Sequence, residues 1–251
     1  MKLNPKILAK YNIENEIIYP NTNEDLTTIL ESFNIKGKDV LTVLASSDQL
    51  LSFYHYEAKT IDTFDRAYST LYYYYLRKWL ILYKDIFSIK GFDLRCINEL
   101  IKSVNPSCCE EYEATLFWKK YFKCTNYQLG HLFNLFSDEG DVPYYNDADI
   151  KNIFNSQLTF NYMDIAKPID IDKKYDIIYL SNLMEYLTIK DSRNTIRKNL
   201  ENLLNPDGIA VLTYKMSDEK NIWHQREVYE LTENNLTYEH INNLVYTYKK
   251  R

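Results

Sequence analysis

The stretch that decides the fold is Asp39–Gln49, DVLTVLASSDQ, read with its sequel Thr60–Asp65, TIDTFD. Val40 to Ala45 is almost continuously apolar rather than alternating, the pattern of a strand covered on both faces, as in a parallel sheet between helices. Small polar residues follow at Ser46–Gln49, then a helical stretch at Gln49–Tyr56, then a second strand at Thr60–Phe64. Strand, polar turn, helix and strand make a βαβ unit. In doubly wound sheets the first such turn presents backbone N–H groups to a ligand at a helix start.

Outward from this unit the pattern repeats. Strands are predicted at Leu158–Asn161, Tyr175–Leu180 and Ile209–Tyr214, and helices at Asp65–Tyr83 and Asp191–Leu204. Asn205, Pro206, Asp207 and Gly208 form a strong stop after the last helix. This alternation defines an α/β fold. Two final β-like runs, Glu227–Thr232 and Leu244–Tyr248, are predicted to pair antiparallel at the end of the sheet. The interval between Lys84 and Leu158 is too long for a simple connection. Apolar residues at helical spacing in Leu94–Ser103, Glu110–Phe122 and Tyr127–Phe136 predict a helical insertion over about 85–146. The chain then returns through Asp141–Asp149, with Asn146 capping a helix to about Asn155. The reading is one domain over 1–251, with an N-terminal helical extension over about 1–36.

Length and composition narrow the function classes. With 251 residues, 45% hydrophobic and 26% charged, the chain can bury a full core. Its 30 Lys+Arg against 35 Asp+Glu leave a net charge of −5, so no overall basic field drives binding along nucleic acid or an anionic membrane. No apolar run reaches the ~20 residues of a membrane span, and Met1–Lys10 lacks a signal-peptide core, so a cytoplasmic location is expected. Cys96, Cys108, Cys109 and Cys124 have no metal-ligand spacing and read as reduced structural thiols; no metal is expected. His55, His131, His224 and His240 are scattered, without HxxxH spacing. Glycine occurs only 5 times, against roughly 18 at ordinary usage of ~7%, so loops that normally use it must do without.

The candidate site residues cluster at the ends of the predicted strands. From Ser46 to Asp65 is 19 positions, close to the ~20 that separate a nucleotide-binding turn from the carboxylate accepting ribose hydroxyls. On spacing alone, Asp65 serves equally well as the cap of the following helix. Asn161–Ile165, NYMDI, places Asp164 after the third strand, where a carboxylate can accept from an adenine amino group. Lys174–Leu187, KYDIIYLSNLMEYL, opens the fourth strand with Asp176 and ends it with Ser181 and Asn182 toward the same crevice.

This succession resembles the class I S-adenosylmethionine-dependent methyltransferases. LLNPDG at Leu203–Gly208 is similar to their LLxPGG-like turn, and YDIIYLSNLMEYL to their fourth-strand motif. LTVLASSDQ with TIDTFDRAYSTLYYYYLRK looks more specifically like a bacterial group with an SGDQ-like first turn, related to the betaine-lipid 3-amino-3-carboxypropyl transferases. The likeness spans about Lys36 to Tyr214.

It implies a Rossmann-like methyltransferase fold, a mostly parallel sheet with antiparallel C-terminal strands, and S-adenosyl-L-methionine as cofactor. It assigns Ala45, Ser46, Ser47, Asp48 and Gln49 to the loop at the methionine end and Asp65 to the ribose, with Asp62 as the alternate. Met163 and Asp164 fall on the adenine side, and Ser181 and Asn182 near the reacting end. The implied activity is methyl transfer to a small molecule or metabolite. The alternatives are 3-amino-3-carboxypropyl transfer from the same cofactor, and a degenerate, non-catalytic binding or scaffold protein.

The chain departs from the family at the first turn, which contains no glycine. Ser47 stands where the nearer group has one, and if the backbone there needs positive φ, serine carries strain of ~1 kcal/mol or more. Arg66 and Ala67 also replace the residues expected after Asp65. Glu185 and Tyr186 are candidates for the acceptor side, and Tyr144 and Tyr145 for packing against the insertion. The run Tyr72–Tyr75 points around most of a helix, so some of its rings are expected to reach water. With only Arg66, Arg77 and Lys78 nearby it makes a poor stacking platform for nucleic acid.

Overall fold

The apolar runs form the centre of a seven-stranded sheet in a computed structural model that describes residues 22, 24–84, 102, 109–124, 150–186, 192–215, 231–232, 236–240 and 243–250. In chain order the elements are α1 (Leu26–Glu31), β1 (Asp39–Val43), α2 (Asp48–His55), β2 (Thr60–Asp65) and α3 (Tyr68–Lys84). After the insertion helix α4 (Cys109–Cys124) come α5 (Ile150–Asn155), β3 (Thr159–Tyr162) and β4 (Tyr175–Ser181). A 3₁₀ turn (Leu183–Tyr186), α6 (Ser192–Leu203), β5 (Leu204–Lys215), β6 (Leu236–His240) and β7 (Asn243–Lys249) complete the described elements.

The strand order is β3-β2-β1-β4-β5-β7-β6. Strands β3 to β5 run parallel, and β7 is antiparallel to both β5 and β6. This is the order and polarity of the Rossmann-like methyltransferase fold. Its order reverses between β1 and β4, and doubly wound sheets bind ligands at the carboxyl ends of the strands that flank such a reversal.

Each face of the sheet has its own core. Val40, Ile61, Ile177, Tyr179 and Val211 pack with residues of α1 to α5, whereas Leu41, Phe64, Ile178, Leu180 and Leu212 pack with α6 and β7. Alternate residues of one strand therefore serve opposite layers, as the two-residue period requires. At the amino edge Asp176 accepts from the Asp39 N–H and from Asn205 Nδ2, both at 3.0 Å, tying together the starts of β1, β4 and β5. Asp176 is thus remote from the carboxyl-end crevice.

Three expectations change. The second C-terminal strand is Leu236–His240, while 231–232 are helical and 227–230 lie outside the described residues. Leu236 and Tyr238 answer Tyr246 and Val245 in the antiparallel register. The stop at Asn205–Gly208 is an irregularity inside β5: Tyr175 pairs with Leu204, and the ladder resumes at Ile177 and Ile209. Gly208 is required there by close approach, since a Cβ would lie 3.0 Å from the carbonyl oxygens of both Asn205 and Tyr175.

The third change concerns Tyr72–Tyr75, all four of which are buried. The reason is α4, which packs across α3 and covers the face that would otherwise meet water. Trp118 Nε1 donates to the Tyr72 carbonyl at 2.8 Å, and the Tyr75 hydroxyl reaches Glu110 at 2.9 Å. Apolar ring area is therefore buried while the polar groups remain paired. The insertion thus builds core through Ala114, Phe117 and Trp118, whereas its expected helix at 127–136 and all of that at 94–103 but Lys102 lie outside the described residues, as do residues 1–21 of the N-terminal extension and Asn146.

Trp118 is fully buried between these helices, so Trp118→Ala should cost about 3–5 kcal/mol. Urea unfolding followed by far-UV circular dichroism would show this as a lowered midpoint. An unchanged midpoint would mean that α4 does not pack on α3.

Candidate ligand crevice at the carboxyl edge

The turn after β1 takes a backbone path that usually asks for glycine. Ala45 has φ 40° and Ser47 φ 75°, the latter in the left-handed region immediately before α2. Ser47 therefore carries the strain its sequence position implies. Its hydroxyl is buried and finds no hydrogen-bond partner among the described residues.

What holds the turn is a buried ion pair. Arg77, on α3, places Nη1 2.7 Å from Asp48 Oδ1, and both side chains are fully buried. The same Nη1 donates to the Ser46 carbonyl at 2.6 Å. Asp48 Oδ2 accepts from the Ser46 hydroxyl at 2.8 Å and the Thr22 N–H at 2.5 Å. Asp48 therefore faces inward as a structural anchor. Arg77, which the sequence places beside an aromatic run, belongs to this interior and not to a basic surface.

Asp65 lies at the carboxyl end of β2. Its Oδ2 accepts from the Ala45 N–H at 3.2 Å and its Oδ1 from the Ala67 N–H at 3.0 Å. One carboxylate thus connects the β1 turn with the entry to α3, and the helix-entry and crevice positions coincide. The Arg66 N–H and the Thr70 hydroxyl also act on this carboxylate, so the entry to α3 and the β1 turn hold it together. The residue as a whole is partly exposed although its carboxyl group is largely enclosed, and this burial pushes its pKa up to about 6 against the opposing backbone hydrogen bonds.

The other candidates divide by location. Asp62 is three residues earlier on the strand and so points to the opposite face. There it receives the Tyr175 hydroxyl at 2.8 Å and sits 2.9 Å from Lys173 Nζ. Burial and then Asp62 itself push the Tyr175 hydroxyl pKa upward. Asp62 is therefore engaged away from Asp65 and the first turn. Met163 is buried and donates its N–H to the Asp65 carbonyl at 2.9 Å, which brings the segment after β3 beside Asp65. Asp164 follows, partly exposed, accepting from the Ala166 N–H at 3.0 Å. Tyr162, 52% exposed and in register with Asp65, stacks on Tyr68 at 4.5 Å and forms an aromatic rim next to the acid.

At the switch point itself the polar groups converge on Glu24, a residue that sequence reasoning missed. Glu24 Oε2 accepts from Ser181 Oγ at 2.9 Å, Gln49 Nε2 at 3.1 Å and Thr22 Oγ1 at 3.4 Å, and Oε1 accepts from the Thr213 hydroxyl. Glu24 is buried, and burial pushes its carboxyl pKa up while the bonds from Thr213, Gln49 and Ser181 pull it back. Tyr179, also buried and beside Glu24, has its hydroxyl pKa raised by burial first and then by the acid. Ser181 sits at φ 54° and also reaches Asn182 Oδ1 at 3.3 Å, with Asn182 partly exposed.

Thus Ser46, Asp48, Gln49 and Ser181 lie in one neighbourhood, and their hydrogen bonds are made within the chain. Glu24 had no sequence signal beyond preceding Asp25, which caps α1 by accepting from the Thr28 N–H. Tyr144, Tyr145 and His224 lie outside the described residues, as do the side chains of Glu185 and Tyr186. No His/Cys/Asp/Glu group able to hold a metal occurs among the described residues, and none of their helices is long and apolar enough to cross a membrane.

No family model matches the chain, and no curated protein matches it. Among solved structures it is similar to the ribosomal protein L11 methylase of Lactobacillus delbrueckii subsp. bulgaricus, with 10% identity over 90% of this chain and 77% of that one and a TM-score of 0.44. It is also similar to the N-methyltransferase NodS of Bradyrhizobium japonicum WM9 in complex with S-adenosyl-L-homocysteine, with 13% identity, coverage of 99% and 93%, and a TM-score of 0.46. The glycopeptide N-methyltransferase MtfA complexed with S-adenosyl-L-homocysteine gives 11% identity over 85% of this chain and a TM-score of 0.40, and the chain spans 60% of the length of MtfA. The assignment of the fold rests on strand order and polarity, not on these likenesses.

The raised pKa of Asp65 has a measurable sign. Its folded value, about 6, exceeds the ordinary 3.8, so its contribution to stability is present in full below about pH 4 and is lost as pH rises through about 6. Asp65→Asn cannot ionise. The melting temperature of the wild type minus that of Asp65→Asn should therefore increase as pH falls from 7.5 to 4.5. A difference that does not move with pH would contradict the shift.

Proposed function

We propose that the chain is an S-adenosylmethionine-dependent transferase, and specifically a methyltransferase, that binds the adenosyl group across the carboxyl ends of β2, β1 and β3. The observation that carries this reading is the placement of Asp65. It is a carboxylate at the carboxyl end of β2, bonded to the positive-φ turn after β1, in a sheet whose order reverses one strand away. Asp65 accepts the ribose hydroxyls. Met163 and Asp164 line the adenine side, and the Tyr162 ring borders it.

The cofactor, when bound, supplies an electrophilic methyl group on a sulfonium. The protein then has to align an acceptor with the methyl group and exclude water, and it forms no covalent intermediate. Ser181 and Asn182, at the end of β4, border the methionyl side. A small-molecule or metabolite acceptor and a cytoplasmic setting belong to the same proposal. If the reaction instead moves the 3-amino-3-carboxypropyl group, methylthioadenosine rather than S-adenosylhomocysteine accumulates, and chromatography of the products decides.

One observation favours a second reading, that of a methyltransferase fold kept for binding or scaffolding without transfer: the polar side chains at the switch point are already paired with Glu24. Calorimetric titration separates the two. The wild type should bind S-adenosylhomocysteine, and Asp65→Ala should lose roughly tenfold or more in affinity, as for a hydrogen bond to a charged group worth ~1.5–3 kcal/mol. Flat heats with the wild type, together with no thermal stabilisation at high ligand excess, would favour the second reading.

A further inference from the structure

The donors at the switch point come from three separate elements yet share one geometry. Gln49 is in the first turn of α2, Ser181 ends β4 and Thr213 is near the end of β5, and all three point a hydrogen at one carboxylate. That carboxylate belongs to Glu24 in the segment before α1, which is tied down by the Thr22 N–H on Asp48 and by its own N–H donating to Thr22 Oγ1 at 3.2 Å. The groups that bond Glu24 are neutral, hydroxyls and an amide. A carboxylate held in the interior by neutral donors alone is costly to keep ionised, as the direction of its pKa shows.

The surroundings are also poorly matched to a bare carboxylate. Gln49 Oε1 and Ser47 Oγ are buried without a hydrogen-bond partner among the described residues. Because Gln49 spends its Nε2 on Glu24 and Thr22, its oxygen is an acceptor awaiting a donor. An amino-acid group carries both halves of what is missing: a carboxylate for the three converging donors and an ammonium for the orphaned acceptor.

We propose that Gln49 Nε2, Ser181 Oγ and Thr213 Oγ1 form a carboxylate-binding site for the amino-acid end of the ligand, and that Glu24 occupies it as a competitor built into the chain. This rests on the proposed adenosyl-binding function and adds to it a division of the crevice. The Asp65 end takes the adenosine, whereas the switch-point end admits an amino-acid moiety only when Glu24 withdraws. An occupant that fills a site nine-tenths of the time lowers the apparent affinity of its competitor about tenfold.

The test compares S-adenosylhomocysteine with 5′-methylthioadenosine, which has the same adenosyl thioether but no amino-acid end. In the wild type the two should bind within about threefold of one another by calorimetry, because the carboxylate of the first must displace Glu24. In Glu24→Ala, S-adenosylhomocysteine should tighten at least about tenfold while methylthioadenosine stays unchanged. Glu24→Gln keeps the shape and loses the charge, and should move the ratio in the same direction by less, which covers the case of an unfolded alanine variant. A weaker or unchanged S-adenosylhomocysteine affinity in both variants, or equal changes for both ligands, would overturn the competitor role while leaving the adenosyl site standing. No binding of either ligand to the wild type or to either variant would remove the adenosyl site, and this inference with it.

Discussion

The structure depends on the buried pair of Asp48 and Arg77. Neither side chain touches water, and the guanidinium serves both the carboxylate and the Ser46 carbonyl. Such a pair adds little net stability over well-packed apolar residues, but removing one partner strands a charge in the interior at a cost of about 3–5 kcal/mol. Its value here is positional. It fixes the backbone at Ser46 and the first residue of α2, and between those two points Ser47 has to take the left-handed conformation seen at φ 75°. A family that solves this turn with glycine relies on backbone freedom; this chain relies on an enforced serine.

The same pair organises what lies on either side of the turn. Asp48 holds the Thr22 N–H, which brings Glu24 over the switch point, and the turn offers the Ala45 N–H to Asp65. One anchor thus positions both Asp65 and the hydroxyls and amide gathered around Glu24. The α3 helix that supplies Arg77 is itself covered by α4, so the insertion contributes to the site indirectly by burying the helix that carries the anchor.

The fold was legible because its signals are local. Buried parallel strands announce themselves as unbroken apolar runs, and Val40–Ala45, Thr60–Phe64 and Tyr175–Leu180 fall within a residue or two of the observed β1, β2 and β4. The edge strand β6 was harder, because alternation in Leu236–His240 is short and gains meaning only from its pairing with β7. Ser47 was legible as a strained position, since a serine in a turn that wants glycine is visible from the residue alone. Glu24 and Arg77 were not, because their roles come from contacts 25 or more residues away in sequence, with Gln49, Ser181 and Thr213 for one and with Ser46 and Asp48 for the other. The buried tyrosines illustrate the same limit: a four-residue aromatic run fixes directions around a helix but not what covers each direction.

The central claim is that Arg77 enforces the serine turn, and a double-mutant cycle measures it most directly. Unfolding free energies of the wild type, Ser47→Gly, Arg77→Met and the double variant would be compared in urea. Glycine should stabilise the wild-type background by ~1 kcal/mol, because it relieves the positive φ. It should gain clearly less once Arg77 is gone and the turn is free to relax, giving a coupling of at least about 0.5 kcal/mol. Additive effects within about 0.3 kcal/mol would show that the turn keeps its shape without the arginine, and would contradict the account.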